Sequence, residues 1–277
     1  MQASSVQNYG YRDGSGHLPE LWRDTEGRTG TARAQGALDR PAGDPVAWYH
    51  ESLDTWHVAY AMPNEHFQEL FWAGNDRVAG GGDLTASAGA PPTAGRAAPM
   101  VDASGTHIVV FRNADGVIHD LYWTTGGVSV ENLSGYAQRP PAAYDPAAYW
   151  TAHDDGHQVV NVDGAGQVQE LWWSGPAPVQ GRALTTAEGS PFSAAGTPAA
   201  YYSPQTGARH AVFRSVHGGL HLLTWNSHDG GVDGLDLTGQ FGLPAAAGDP
   251  TAVVVPRTAR QHLAYRAVDG HVYEVTW

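Results

Sequence analysis

The chain of 277 residues contains no cysteine and no lysine. Without cysteine, no disulfide framework, thiolate-ligated zinc site or redox-active thiol can form. All 15 basic residues are arginine, and 28 acidic residues give a formal net charge of −13. A chain of this sign does not attract the phosphate backbone of nucleic acids. The composition therefore excludes a disulfide scaffold and predicts that nucleic acid is not a partner.

Long apolar stretches are also missing. No uninterrupted run approaches the roughly 20 apolar residues of a membrane-spanning helix. Residues 1–8 contain neither the basic region nor the apolar region of a signal peptide. These absences predict a soluble chain without membrane insertion, and they leave open whether it is cytoplasmic or a domain of a secreted protein.

The chain does contain a phrase that recurs six times, most clearly in residues 262–277. Each copy has an anchor position that is acidic in five of the six copies, and successive anchors are 49 to 52 residues apart. A tryptophan follows three residues after five of the anchors. The anchors are Glu20, Glu69, Asp120, Glu170, Leu222 and Glu274. This constant register indicates a repeat protein.

Each repeat of about 50 residues has the pattern of four short strands. A short apolar run such as 147–150 is followed by a second run such as 107–111, an Asp-Gly or Ala-Gly turn, and an alternating third run such as 118–123. A weaker fourth run ends in a phrase such as Asn132-Leu-Ser134. No helical period persists, and glycine and proline interrupt the chain throughout. We therefore predict an all-β fold, a single β-propeller domain over residues 1–277 with four-stranded blades.

The first and last repeats are incomplete. The sequence contains six second strands and six third strands, but five first strands and five fourth strands. Roughly half a repeat is therefore missing from a closed ring of full repeats. Two interpretations remain open: six blades that close imperfectly, or part of a longer parent chain with seven blades.

The phrase His-Val-x-Tyr-Arg, Asp-Gly, Ile-His-Glu-Leu-x-Trp resembles the blade repeat of the fungal fucose-specific lectins and the related bacterial propeller lectins. The resemblance extends through all six repeats, and it implies sugar sites between adjacent blades. In that family, two residues form hydrogen bonds with the sugar hydroxyls: a basic residue that opens the second strand, and a glutamate twelve positions later. An aromatic residue of the neighbouring blade stacks on the sugar. Here histidine replaces the arginine of the family, and the fourth strands, such as 77–85, lack the tryptophan that often stacks.

The resemblance implies one pair of site residues in each repeat. The twelve-residue spacing holds in four pairs and is one residue longer in two. The pairs are Asn8 with Glu20, His57 with Glu69, His107 with Asp120, His157 with Glu170, His210 with Leu222, and His262 with Glu274. The candidate carbohydrate-binding residues are the members of these pairs other than Asn8, His210 and Leu222. We expect no binding beside Leu222, because a leucine stands there in place of the carboxylate that would accept hydroxyl protons.

Structural roles compete with binding roles at several of these positions. The recurring tryptophans, such as Trp72 and Trp225, are expected in the blade core. Arg112, Arg214 and Arg266 fit either ligand contact or ion pairs with a carboxylate such as Glu274. The histidines fit either sugar binding or structural pairing with glutamate. Because a propeller holds its repeated histidines far apart, we predict no shared metal centre and no cofactor.

Three functional classes remain open from the sequence. The expected innermost strands, such as 46–49 and 251–254, carry no paired acids and no set of nucleophile, base and orienting residue, so we predict that the chain is not an enzyme. A protein-interaction scaffold and a glycan-acting enzyme remain as alternatives. The favoured interpretation is a multivalent lectin whose partners are glycans or glycoconjugates, because weak repeated sites gain avidity on a glycan surface.

Overall fold

A computed structural model describes residues 7–10, 19–23, 29–33, 41–73, 80–185, 192–228, 230–255, 258 and 260–277. These residues form strands with three short helices. The strands, in chain order, are β1 (Gln7–Gly10), β2 (Pro19–Arg23), β3 (Thr29–Arg33), β4 (Val46–His50), β5 (Thr55–Ala61), β6 (Phe67–Ala73), β7 (Gly80–Asp83), β8 (Ala98–Val101), β9 (His107–Arg112), β10 (Ile118–Trp123), β11 (Ser129–Asn132), β12 (Ala147–Thr151), β13 (Gly156–Val162), β14 (Val168–Ser174), β15 (Gln180–Ala183), β16 (Ala199–Ser203), β17 (Ala208–Arg214), β18 (Leu220–Trp225), β19 (Asp233–Asp236), β20 (Thr251–Val255), β21 (Arg260–Arg266) and β22 (Val272–Thr276). The helices are α1 (Leu84–Ala88), α2 (Leu133–Tyr136) and α3 (Leu237–Phe241).

The strands form sheets in which each strand pairs with its neighbour in sequence. Four sheets have four strands, in the orders β4-β5-β6-β7, β8-β9-β10-β11, β12-β13-β14-β15 and β16-β17-β18-β19. Two sheets have three strands, β1-β2-β3 and β20-β21-β22. The sheet β1-β2-β3 begins with a strand that corresponds to the second strand of the repeat. The sheet β20-β21-β22 ends with a strand that corresponds to the third, as the strand count from the sequence predicts. The all-β class and the four-stranded repeat unit are confirmed.

The chain divides into two compact units, residues 1–114 with 121–131, and residues 115–120 with 132–277. Within the second unit, the first strands of consecutive sheets lie side by side, β12 beside β16 and β16 beside β20. Within the first unit, β4 lies beside β8 in the same way. The apolar runs after each proline are therefore the strands that meet between sheets.

Two of the recurring tryptophans, Trp123 and Trp225, lie in clusters to which two consecutive sheets contribute, and Trp72 packs within its own sheet. Trp72 lies opposite Trp56 and Trp225 lies opposite Arg209, which is the same register in two different sheets. Trp225 packs with Phe213, Val160 and Leu184 in the layer between the β12–β15 and β16–β19 sheets. The prediction that these tryptophans belong to the core is confirmed for Trp72, Trp123 and Trp225, which are buried.

The fourth strands end differently from the prediction. The sequence pattern extends them through a Leu-Thr or Leu-Ser phrase, whereas the strands end at the residue before the leucine, and in three sheets the leucine begins a helical turn. Asp83, Asn132 and Asp236 cap these turns, because their side chains accept a backbone N–H three residues later. The local capping chemistry therefore overrides the extended pattern.

The hydroxyl of each Leu-Thr or Leu-Ser phrase accepts a hydrogen bond from the backbone N–H of the first residue of the third strand. Thr85 accepts the backbone N–H of Phe67 at 2.9 Å, and Thr185 accepts that of Val168 at 2.9 Å. Ser134 and Thr238 accept the N–H of the corresponding residues in their own sheets, Ile118 and Leu220. The leucines of the four phrases are buried. The phrase is thus a structural clasp that recurs in all four complete sheets.

Candidate functional site

Strand register decides which side chains share a face of a sheet. His57 lies opposite Phe71, and Glu69 lies opposite Ala59. Since residues two apart on a strand point to the same face, His57 and Glu69 are diagonal neighbours on one face. The same register holds for His262 and Glu274 in the last sheet. The twelve-residue spacing therefore brings its two members together, as the sequence predicts.

The pair of His57 and Glu69 is buried and closed. Nδ1 of His57 lies 2.8 Å from Oε1 of Glu69, and the hydroxyl of Thr55 lies 2.9 Å from Nε2. The indole of Trp48 stacks on the imidazole, with ring centroids 5.2 Å apart. Both ring nitrogens of His57 therefore already have a partner within the protein.

The pair of His262 and Glu274 has the same geometry at the surface. Nδ1 of His262 lies 2.7 Å from Oε1 of Glu274, and their side chains are 31% and 64% exposed. Val253 lies opposite His262 in the sheet and is also exposed. A carboxylate, an imidazole and an apolar side chain are thus presented together to solvent.

The pair of His210 and Leu222 lacks an acid, as the sequence predicts. Leu222 is buried, and Nδ1 of His210 lies 3.1 Å from the hydroxyl of Thr224. The ring of His210 stacks on Tyr201 at a centroid distance of 5.0 Å. Burial lowers the pKa of His210 to about 4, so the imidazole is neutral at pH 7.

The predicted pairing of His157 with Glu170 is wrong. His157 lies opposite Trp173, whereas Glu170 lies opposite Val160. Positions 157 and 160 are three apart, so the two side chains point to opposite faces of the sheet. His157 stacks on Trp173 instead, with ring planes 9° apart and centroids 4.8 Å apart. The one extra residue between His157 and Glu170 therefore places the histidine on the opposite face of the sheet from the glutamate.

Gln158 occupies the position that the pairing assigned to His157. It lies opposite Tyr149, as His57 lies opposite Trp48, and it precedes Glu170 by twelve residues. Sequence reasoning missed Gln158 because it followed the residue type and not the fixed spacing. The spacing itself is the signal that could have identified it.

His107 and Asp120 show the same longer spacing. Counting twelve residues back from Asp120 gives Ile108, which lies opposite Met100. His107 accepts a hydrogen bond from Nε1 of Trp48 at 3.1 Å and stacks on Trp123 at 5.1 Å. Burial, followed by the neighbouring His57 and His50, lowers the pKa of His107 to about 3. Asp120 is buried and belongs to the second compact unit, residues 115–120 with 132–277.

Glu170 is enclosed by partners from its own sheet and the next. Its Oε2 accepts Nε of Arg182 at 2.9 Å, and its Oε1 accepts Nε1 of Trp225 at 2.8 Å. Nδ1 of His228 lies 3.3 Å from the same Oε1, and its ring stacks on Trp172. Arg182 also donates to the carbonyls of Gly230 and Ser227. In this arrangement, the carboxylate ties two sheets and a loop together.

The remaining candidates are placed as follows. Glu20 lies on β2 opposite Gly10 and Ala32, and its side chain falls outside the described part of the chain. Arg214 faces Asp249 of the Gly-Asp-Pro phrase, with Nη2 and Oδ1 3.7 Å apart, so this ion pair does not involve an anchor carboxylate. Among the residues described, no group of three or more His, Asp or Glu side chains is arranged to hold a metal ion.

Comparison with known proteins identifies the architecture. No protein-family model and no curated protein sequence matches the chain. Among solved structures, the BP39L lectin of Burkholderia pseudomallei superposes with a TM-score of 0.74 at 14% identity, covering 98% of this chain and 77% of that one. The chain has the β-propeller fold of lectins. AofleA of Arthrobotrys oligospora gives a TM-score of 0.67 at 14% identity, covering 99% and 82%.

A third similar structure is the lectin of Aleuria aurantia, a six-bladed β-propeller with a novel fucose recognition mode. It gives a TM-score of 0.61 at 11% identity and covers 98% of this chain and 87% of that one. The resemblance to the fungal and bacterial propeller lectins is therefore confirmed at the level of the fold. None of the helices in the described part of the chain has the length and hydropathy that crossing a membrane requires.

Proposed function

We propose that the chain is a multivalent lectin without catalytic activity, and that His262 and Glu274 form its most accessible carbohydrate site. The observation that carries the proposal is the exposed pair itself, held at 2.7 Å on one face of the β20–β21–β22 sheet. It stands at the twelve-residue spacing of the repeat, on a fold shared with propeller lectins. We further infer that each of the sheets is one blade, so that the chain contributes six.

The chemistry of this site suits a neutral sugar. Glu274 accepts protons from two hydroxyls, and Nε2 of His262 offers one further hydrogen bond, since Nδ1 is directed to the carboxylate. Val253 supplies an apolar surface for the C–H side of a pyranose, where other sheets have Trp48 or Tyr201 at the corresponding position. A methyl group such as that of fucose would contact this apolar side chain, and fucosides are therefore the first ligands to test.

The other candidate pairs are proposed as weaker or gated sites. His57 and Glu69 have the same geometry but are covered, so sugar binding there requires neighbouring side chains to move. Glu170 is surrounded by Arg182, Trp225 and His228 and needs larger rearrangement. His107, Asp120 and Glu20 remain candidates through the family resemblance, whereas His157 is not proposed again, because it lies on the face of its sheet opposite to Glu170. Several weak sites on one chain would raise avidity for a glycan surface without raising the affinity of any single site.

The test combines a glycan array with titration of α-methyl-L-fucoside. We expect the wild-type chain to bind and Glu274→Gln to bind about ten- to a hundredfold more weakly, because a charged hydrogen-bond acceptor is lost. Glu51→Gln is the matched control, since Glu51 is an exposed acid in the turn between β4 and β5. It should bind as the wild type does. Both variants should keep the wild-type melting temperature.

Two results would contradict the proposal. A wild-type chain that binds nothing on a broad array favours the protein-interaction scaffold. Unchanged affinity in Glu274→Gln moves the site away from this pair. An enzyme would instead release product from a glycoside, which we do not expect, because the anchor carboxylates recur singly in five of the six repeats and form no single reactive constellation.

A further inference from the structure

His228 covers the face of an aromatic side chain beside an anchor carboxylate. Its imidazole stacks on the indole of Trp172, with ring centroids 4.3 Å apart and ring planes 2° apart. Nδ1 of His228 lies 3.3 Å from Oε1 of Glu170. Trp172 follows Glu170 by two residues on β14, so the two side chains share one face of the sheet. The imidazole therefore makes the two contacts that a bound sugar needs, with an aromatic face and with a carboxylate.

The imidazole of His228 is held mainly by stacking. Oε1 of Glu170 already accepts Nε1 of Trp225 at 2.8 Å, and Oε2 accepts Nε of Arg182 at 2.9 Å. Within the described part of the chain, Nδ1 of His228 makes no aligned hydrogen bond, although it lies close to the carboxylate. The side chain of His228 is also 20% exposed. The ring can therefore leave this position without breaking a well-formed hydrogen bond.

The backbone beside His228 is held independently of the imidazole. Arg182 donates to the carbonyl of Ser227 at 3.1 Å and to that of Gly230 at 2.9 Å. These bonds fix the chain before and after His228 against the sheet that carries Trp172. The imidazole can therefore move off the indole by rotation of its own side chain, while the backbone stays in position.

Gln158 has unused hydrogen-bonding groups on the same face of the sheet. It lies opposite Trp172 across β13 and β14, and it is 1% exposed. Among the residues that the structure describes, neither Nε2 nor Oε1 of its amide has a hydrogen-bond partner. Tyr149, opposite Gln158 on β12, likewise has a buried hydroxyl without a partner in this part of the chain. Because buried polar groups without partners are costly, a ligand that both donates and accepts, as a sugar hydroxyl does, is favoured here.

We propose that Glu170, Trp172 and Gln158 form a sugar site that an internal imidazole keeps closed. His228 is this occupant, and it stands in the position of a pyranose ring. When the imidazole moves away, a sugar stacks on Trp172, one hydroxyl donates to Glu170, and a second exchanges hydrogen bonds with the amide of Gln158. The carboxylate keeps its two protein donors, because it offers about four acceptor positions. This inference rests on the proposed lectin function and assigns the regulation of the Glu170 site to His228.

The test follows the indole N–H signal of Trp225 by NMR in the full chain. This group donates to Glu170, so its signal reports on the closed site and not on Glu274. His228→Gly removes the imidazole, and His228→Ala is a second variant without the added chain freedom of glycine. His217→Gly is the matched control, since His217 is an exposed residue of a turn. The probes titrated into each chain are imidazole and α-methyl-L-fucoside.

We expect imidazole to shift the Trp225 signal saturably in both His228 variants and to leave it unchanged in the wild type and in His217→Gly. If His228 closes the site for about 90–99% of the time, its removal raises the affinity for the fucoside about ten- to a hundredfold. Gln158→Leu, added to His228→Gly, should lower that affinity about tenfold and leave the binding of imidazole unchanged.

A Trp225 signal that responds to neither probe in the His228 variants would overturn the proposal. Equal affinity for the fucoside in His228→Gly and the wild type would do the same, and weaker affinity in His228→Gly would make His228 a ligand contact instead of an occupant. A response to imidazole alone would exclude the sugar as the ligand. Fucoside that binds beside Glu274 but leaves Trp225 unaffected in His228→Gly contradicts the closed site alone, whereas fucoside that binds nowhere contradicts the lectin function as well.

Discussion

The indole of Trp225 donates a hydrogen bond to the carboxylate of Glu170, with Nε1 and Oε1 2.8 Å apart. The two residues lie 55 positions apart and belong to consecutive sheets. Each occupies a recurring position of its own repeat, the anchor and the tryptophan that follows it by three. The bond therefore connects recurring positions of two consecutive sheets. In the described conformation Glu170 has a structural role, because its carboxylate holds these two sheets together.

This contact predicts opposite behaviour for two glutamates at equivalent positions. Glu170→Gln keeps one acceptor for Trp225 but removes the negative charge beside Arg182, and we expect it to lower the free energy of unfolding by about 2 kcal/mol. Glu274→Gln should change it by less than about 0.5 kcal/mol, because the pair of His262 and Glu274 is largely exposed. Urea denaturation of both variants measures the difference. Equal stabilities would show that the enclosure of Glu170 contributes nothing.

The hydroxyl clasp at the start of the third strands is a second testable feature. Thr185→Val keeps the size of the side chain but leaves the buried N–H of Val168 without its acceptor at 2.9 Å. The expected loss of stability is about 1–3 kcal/mol. Thr251→Val, at an exposed position of β20, is the control and should be neutral. Thermal unfolding followed by circular dichroism distinguishes the two, and an unaffected Thr185→Val chain would argue against the clasp.

Acid should destabilise the protein through His210. Burial lowers the pKa of His210 to about 4 in the folded chain, from an ordinary value of 6.5. The unfolded chain therefore binds a proton between these values that the folded chain does not. This contribution to stability is complete above pH 6.5 and is lost as the pH falls toward 4, by up to about 1.4 kcal/mol for each pH unit.

The measurement is denaturant unfolding at pH 7, 6 and 5. His210→Gln should reduce the dependence of stability on pH by the share of His210, while the share of His107, whose pKa burial also lowers, remains. His217→Gln should leave the dependence as in the wild type, because His217 is exposed. A wild-type slope that His210→Gln leaves unchanged would contradict the assignment to His210.

Gly196 is predicted to be irreplaceable for a local reason. Its φ is +100°, and a Cβ there would lie 1.9 Å from Oδ1 of Asp249. Gly196→Ala must displace Asp249, which faces Arg214, and we expect a loss of about 2–3 kcal/mol. At Gly82 a Cβ meets nothing within 4 Å, so Gly82→Ala should be neutral or slightly stabilising. Calorimetry of the two alanine variants tests the contrast, and two equal melting temperatures would contradict it.

Particular residues show how far sequence reasoning reached. The repeat register predicted the strand that contains His57, its acidic partner Glu69 and the missing acid at Leu222, since all three depend on spacing along the chain. It failed at His157, because strand side chains alternate between faces, and one added residue reverses the face. The Leu-Thr phrase was recognised as recurrent, but the spacing did not indicate its hydroxyl clasp, which accepts a backbone N–H 17 or 18 residues earlier in the chain.

The sequence by itself determined the all-β class, the four-stranded repeat and the incomplete first and last repeats, because these follow from local periodicity and regular spacing. Only the tertiary structure decided which glutamates are available to a ligand. Glu69, Glu170 and Glu274 have equivalent sequence positions, yet the first is closed by its own histidine in the interior, the second is enclosed by Trp225 and Arg182, and the third is exposed. The physical reason is that burial is set by the neighbouring sheet and the fourth strand, whose residues lie far from each anchor along the chain.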